Sequence, residues 1–346
     1  MAASPDRQWR GFMASQVWST IDFERHGVQS DYARVPYSSD TSAYGWLPVP
    51  MICVNEGEGP TVLLTAGTHG DEYEGQIALR RIAHALTQTK VKGRVIILPE
   101  LNRPAVIAGR RNSPLDGGNL NRLFPGDAAG GPTAMIAHYV TEVLFPLTDY
   151  VLDLHSGGSS LDYMPVAFAH RGRTPQQARR IEELLDAFRA PNSILTDGKG
   201  GGGAATLYAS AVAHGLAALT TELGGGPGLS PAGADLAEAG IRRVLRQMGI
   251  APEISAPEAQ PARRLKMLPP ASSIYAPSDG LFEPIAKIGD PVKSGEPAGY
   301  LHPLGLPLAK PLELRFSADG IVIFRRFPTL TATGDALYGL CAEIGG

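Results

Sequence analysis

The chain has 346 residues, more than one hydrophobic core usually organises, so a large domain and a smaller one are expected. With 43% apolar and 19% charged residues it is neither disordered nor fibrous, and its 41 glycines and 29 prolines demand many turns. A formal charge of −3 without any basic stripe excludes a general attraction to nucleic acid.

Residues 1–45 have mixed polarity and end in the turn-rich VPYSSDTSAYGW, which reads as an arm laid on the next domain. The first twenty residues lack the continuous apolar run of a secretory signal, and no run of about 18 apolar residues follows, so no membrane span and a cytoplasmic location are expected. A domain over 46–250 comes next. TVLLTAG (61–67), RVIILPE (94–100), YVLDLH (150–155) and AALTTEL (217–223) are short apolar runs suited to strands buried on both faces. Between them, residues 75–87 and 133–144 carry apolar side chains at helical spacing. Thr174 before Pro175, with Gln177 following, opens a helix to about Arg189; Ser230 and Pro231 open another that Gly249 stops. Strands alternating with helices predict an α/β fold with a central, largely parallel sheet flanked by helices.

APEISAPEAQPARR (251–264) has the composition of a linker. Beyond it, over 265–346, short apolar stretches alternate with the turns PSDG, KIGD, KSGE and SADG, which predicts a smaller all-β domain. Cys53 and Cys341 are far apart and lack CxxC spacing, so both read as reduced packing residues.

The chemistry-bearing residues sit where those strands end. TAGTHGDEYEG (65–75) leaves a strand and enters a helix, the edge at which open α/β sheets place their sites. There His69 and Glu72 form an HxxE pair whose spacing lets both reach one ion. His155 ends the run YVLDLH and is the candidate third ligand; a hydrolytic zinc site leaves a fourth position for water. Asp153, two residues earlier, either accepts a hydrogen bond from that imidazole or caps a loop. Glu222, finishing AALTTEL, either acts as the general base or faces solvent. In RRNSPLDGGNLNRLFPG (110–126), Asn121 and Arg122 can hold a carboxylate and Arg111 can polarise a carbonyl, against the plainer reading of solvated or ion-paired arginines.

Other features read as bland. His26, His84, His138, His170, His214 and His302 have no partner at ligand spacing and are taken as surface or packing residues. GKGGGG (198–203) lacks Walker spacing and reads as a loop at the pocket mouth.

GTHGDEYEG, LNRPAVIAGRRNSPLDGGNLNRLFPG, LDLHSGG and TELGGG, in this order over about residues 46–250, resemble the succinylglutamate desuccinylase and aspartoacylase family, a branch of the zinc carboxypeptidase-like fold, which implies a mixed, largely parallel sheet. HGDEYEG, SPLDGGNLNR and HSGGSSLDYMP resemble most the branch that deacetylates N-α-acetyl-2,4-diaminobutyrate in ectoine breakdown. The resemblance implies one Zn²⁺ held by His69, Glu72 and His155, with Glu222 as catalytic glutamate. It also implies that Arg111 polarises the carbonyl, with Arg110 as the alternative in a loop longer than the aspartoacylase pattern, and that Asn121 and Arg122 bind the carboxylate. The expected partner is a small N-acyl amino acid, with neither nucleic acid nor membrane, and a homo-oligomer is left open. Another N-acyl amino acid deacylase, of the aspartoacylase or succinylglutamate desuccinylase type, and a peptide-cutting zinc carboxypeptidase are the rival enzymes. The carboxyl-terminal stretch APSDGLFEPIAKIGDPVKSGEPAG resembles the barrel-sandwich domain of biotinyl and lipoyl carriers, but the modifiable-lysine motif is missing and Lys287 and Lys293 fall at turns. A non-enzymatic carrier is therefore the rival from another class.

Overall fold

The structure, a computed structural model, describes residues 14–198 and 203–344; residues 1–13 of the arm and most of GKGGGG lie outside them. The arm contributes a strand. Gly27–Pro36 (β1) pairs antiparallel with Trp46–Asn55 (β2) at the edge of the main sheet. Its inward face carries Gln29 beside Ala33 and Val35, while Val28 and Tyr32 point outward, so no apolar alternation marks it. Gln29 is tolerated inside because its amide donates to the Asp22 carbonyl (2.6 Å) and accepts from the Asp22 N–H (3.1 Å).

Thr61–Ala66 (β3), Arg94–Leu98 (β4), Tyr150–Leu154 (β5) and Ala217–Glu222 (β9) match the four apolar runs; between the last two lie Leu161–Tyr163 (β6), Val166–His170 (β7) and Asn192–Thr196 (β8). The sheet order is β1-β2-β4-β3-β5-β9-β7-β8. Its centre, β4-β3-β5-β9, is parallel throughout. The sheet as a whole is mixed, as the family resemblance implies: β2 runs antiparallel to β4, and β7 to β9, while β7 and β8 are again parallel. An apolar run records that a strand is buried and not which way it points. The chain enters β7 directly from the loop after β5 and the short β6, without a crossover helix, and so arrives beside β9 pointing the other way.

Helices Tyr73–Leu86 (α1), Arg103–Ala108 (α2), Pro132–Tyr139 (α3), Pro175–Phe188 (α4), Leu207–Ala213 (α5) and Pro231–Gln247 (α6) flank the sheet. The predicted caps form: Thr174 Oγ1 accepts from the Gln177 N–H and Ser230 Oγ from the Gly233 N–H, each at 3.2 Å. On α1, Leu79, Ile82 and Leu86 are fully buried in the main core, each contributing about 1.5–3 kcal/mol. No helix among the described residues is long and apolar enough to cross a membrane.

The 251–264 segment is pinned rather than loose. Ala251 and Ile254 are buried, and the Arg243 guanidinium donates to the Phe188 carbonyl (2.7 Å) and the Pro257 carbonyl (3.1 Å). Arg263–Met267 (β10) then joins β8 in parallel, so the main sheet continues into the carboxyl-terminal part. The remaining strands are Ile274–Tyr275 (β11), Gly280–Pro284 (β12), Pro291–Val292 (β13), Pro297–Pro303 (β14), Leu312–Arg315 (β15), Gly320–Arg326 (β16), Leu330–Thr331 (β17) and Ala336–Glu343 (β18). Strands β10-β18-β16-β13 extend the main sheet, while β15-β14-β12-β17 form a separate antiparallel sheet. The two pack around Phe282, Leu301, Phe316 and Tyr338. Lys287 and Lys293 lie at turns, the latter paired with Asp319 at 3.2 Å.

Candidate active site

Because β3, β5 and β9 are adjacent and parallel, their carboxyl ends meet at one edge. His69 follows β3, His155 follows β5, and Glu222 ends β9. Glu72 stands at the amino end of α1 without capping it, which frees its carboxylate to turn toward the imidazoles. Its Oε1 lies 2.7 Å from His69 Nδ1 and its Oε2 2.7 Å from His155 Nδ1. All three side chains are buried, and one ligand atom from each falls within 4.8 Å of the others.

The outer nitrogens fix which edge faces inward. His155 Nε2 lies 2.8 Å from Asp153 Oδ2, and His69 Nε2 lies 3.2 Å from Asn119 Oδ1. With Nε2–H donated outward in each ring, both Nδ1 lone pairs converge on one point. Asp153 is itself held by Thr65 (2.8 Å) and Thr68 (3.0 Å), whose hydroxyls donate to Oδ1. Of the two sequence readings of Asp153, the geometry is that of an imidazole partner. Two neutral imidazoles and a carboxylate, each oriented by a second hydrogen bond, are a donor set that fits a divalent cation.

These buried groups shift one another's protonation. Burial opposes a charge on Glu72, but the two imidazoles outweigh it and hold the carboxyl well below its usual range. Burial likewise opposes a charge on His155, and Asp153 with Glu72 outweighs it, raising that imidazole well above its ordinary value. For His69, burial prevails over Glu72 and the value is lowered. Glu222 is pushed up to about 8, first by burial and then by the charge of Glu72. Its Oε2 is buried without a hydrogen-bond partner, so this acid has unused capacity inside the site.

Arg111 reaches the cluster, with Nη1 3.3 Å from His69 Nδ1 and 3.6 Å from Glu72 Oε1, and it lines the cavity where Arg110 does not. Arg122 also lines it, donating to the Asn121 carbonyl at 2.7 Å; burial and then Arg111 lower its pKa. Asn121 is partly committed, because its Oδ1 accepts the Leu207 N–H that opens α5 (2.9 Å). Its Nδ2 lies 3.3 Å from His155 Nε2, whose hydrogen goes to Asp153, so the Asn121 amide hydrogens stay available.

The cavity holds about 400 Å³, and the carboxyl-terminal part closes one side with Met267, Leu268, Tyr275 and Phe324. Tyr163, from β6, lines it too, its ring 5.2 Å from that of Phe324. His170 is a correction: read as a surface or packing residue, it lines the cavity, as do its neighbours Thr196 and Tyr208. Asn119, Thr65 and Thr68 also escaped the sequence reading. Asn119 stood in view within DGGNLNR, whereas Thr65 and Thr68 looked like ordinary β-branched and loop residues.

Two close approaches hold the loops in place. Gly70 donates to the Arg110 carbonyl (2.9 Å), and a Cβ there would lie 2.0 Å from the Ala105 carbonyl. Gly70→Ala is therefore expected to cost about 1–3 kcal/mol of stability and shift the urea midpoint down; an unchanged midpoint would show that α2 yields freely. The loops bearing His155 and Glu222 are laced backbone to backbone. Gly157 donates to the Gly224 carbonyl and Gly226 to the Gly158 carbonyl, each at 2.8 Å.

Known proteins resemble this chain over most of its length. The family model described as the succinylglutamate desuccinylase/aspartoacylase catalytic domain matches residues 58–248. The chain is 42% identical over 334 residues to a Halomonas elongata protein named N-alpha-acetyl-L-2,4-diaminobutyric acid deacetylase, covering 95% of this chain and 96% of the relative. The product-bound structure of the ectoine utilization protein EutE (DoeB) from Ruegeria pomeroyi superposes with a TM-score of 0.90 at 36% identity, covering 96% of this chain and 100% of that one. A Rhodobacter sphaeroides succinylglutamate desuccinylase/aspartoacylase gives 0.88 at 36%, with the same coverage. The family match and the deacetylase relative show an amide-hydrolysing enzyme. This chain belongs to the succinylglutamate desuccinylase/aspartoacylase family.

Proposed function

We propose that the chain hydrolyses the amide bond of an N-acyl amino acid, foremost N-α-acetyl-L-2,4-diaminobutyrate, releasing acetate and the free diamino acid, on a zinc carboxypeptidase-like fold. The observation that carries this reading is the convergence of His69, Glu72 and His155 beside the unpartnered Oε2 of Glu222 in one cavity. His69 and His155 through Nδ1, and Glu72 through its carboxylate, would hold Zn²⁺. When bound, that ion supplies Lewis acidity, which polarises an acyl carbonyl and eases deprotonation of water.

The remaining work falls to the chain. Glu222 Oε2 accepts a proton from the attacking water and returns it to the nitrogen that leaves, so the C–N bond breaks to a carboxylate and an amine. The Arg111 guanidinium steadies the oxyanion of the tetrahedral intermediate. Arg122 and the Asn121 amide hydrogens fasten the substrate's own carboxylate. Leu268, Tyr275 and Phe324 line a cavity of only about 400 Å³, which favours a small molecule over a peptide. Purified protein assayed against N-acetyl amino acids and a ladder of C-terminal peptides should turn over the former and contain about one zinc per chain; efficient trimming of the ladder would establish the carboxypeptidase instead.

Proton release offers a second check. In metal-free protein at pH 7, the raised His155 keeps its proton, and Glu222, at about 8, keeps its own. A bound cation must displace the first and pull down the second. Adding zinc in weakly buffered solution should therefore release about two protons per ion, and about one from Glu222→Gln. Equal release from the two proteins would mean that Glu222 does not sense the ion.

A further inference from the structure

The cavity wall away from the His-Glu-His cluster carries a polar relay that the mechanism leaves unused. His170 ends β7 and Thr196 ends β8, paired across the two strands. Thr196 Oγ1 lies 2.7 Å from His170 Nδ1, and the Tyr208 hydroxyl also engages Thr196. The His170 ring stacks flat on that of Tyr208, with centroids 4.4 Å apart and planes 1° from parallel. Its position is thus fixed from two directions. Its other nitrogen, Nε2, is buried and has no hydrogen-bond partner. Burial keeps this imidazole below its ordinary pKa despite Asp197, so it is neutral and can present a lone pair.

A diamino acid substrate brings a side-chain amine that must find an acceptor, or it will bind at the expense of its lost hydration. Among the described residues lining the cavity, the carboxylates are Glu72 and Glu222, and both are engaged at the reacting end. We propose that His170 is the residue that selects the substrate's side chain, its Nε2 accepting a hydrogen bond from an amine at the end of a short chain, with Thr196 and Tyr208 holding the ring to that task. The hydroxyl relay can turn so that Nδ1–H donates to Thr196 Oγ1, which leaves the Nε2 lone pair free. The inference rests on the proposed deacylase reading and deepens it.

The test compares kcat/KM for N-α-acetyl-2,4-diaminobutyrate with that for N-acetyl-2-aminobutyrate, which lacks only the terminal nitrogen. The parent protein should favour the amine by about 10- to 100-fold, the worth of one hydrogen bond to a charged donor. In His170→Phe, which keeps the stack on Tyr208, that ratio should fall to within about threefold. His170→Gln, which returns an acceptor oxygen near the Nε2 position, should hold an intermediate ratio and show that the loss is not one of folding. A ratio unmoved in both variants, or a parallel fall for both substrates, overturns the assignment. If the parent protein turns over neither compound, the deacylase reading itself fails and takes this inference with it.

Discussion

Glu222→Gln is expected to retain metal and lose about 10²- to 10⁴-fold in kcat, the range for removing a positioned general base. Glutamine keeps the volume and one acceptor oxygen of the side chain, so the fold around β9 should survive. What disappears is the capacity to take a proton from water and return it to the departing nitrogen. Glu222 makes no hydrogen bond or ion pair with His69 or His155 and acts on His155 through its charge, so metal analysis should read about one equivalent in both proteins. A variant with parental turnover would remove this acid from the reaction, and one lacking metal would place it among the ligands.

His155→Ala should remove the ion altogether. The substitution deletes one of the three converging donors, so zinc affinity should fall by more than about 100-fold, beyond what disturbing a ligand's hydrogen-bond partner costs. It also strands Asp153, which is fully buried and loses the imidazole 2.8 Å away while keeping the hydroxyls of Thr65 and Thr68. An unpaired buried carboxylate costs about 3–5 kcal/mol, so a lowered denaturation midpoint should accompany the loss. The discriminating measurement is metal content in a preparation with parental circular dichroism. Stoichiometric zinc in folded His155→Ala protein would sink the ligand set, whereas loss of both metal and activity supports it.

The parts of this molecule readable from sequence are those with a local signature. The apolar runs at β3, β4, β5 and β9 each announced a buried strand, and Thr174 and Ser230 announced helix starts through caps that need only a few neighbouring residues. His69, Glu72, His155 and Glu222 were legible because each closes or follows such a run, and adjacency of the strands then brings them together. Legibility failed where pairing was decided at long range. The edge strand β1 hides because Gln29 faces inward, satisfied by Asp22. The reversed direction of β7 depends on how the chain returns from the site loop. His170 gave no sign of a role because Thr196 and Tyr208, which hold it, come from elements 26 and 38 residues further along.

The backbone lace between Gly157 and Gly224 and between Gly158 and Gly226 has an evolutionary consequence. It welds the turn carrying Glu222 to the turn carrying His155, so neither can drift without dragging the other. A lineage adapting such a scaffold to a different acyl or side-chain group is left with the walls supplied by β7, β8 and the carboxyl-terminal strands, where side chains can be exchanged without loosening the weld.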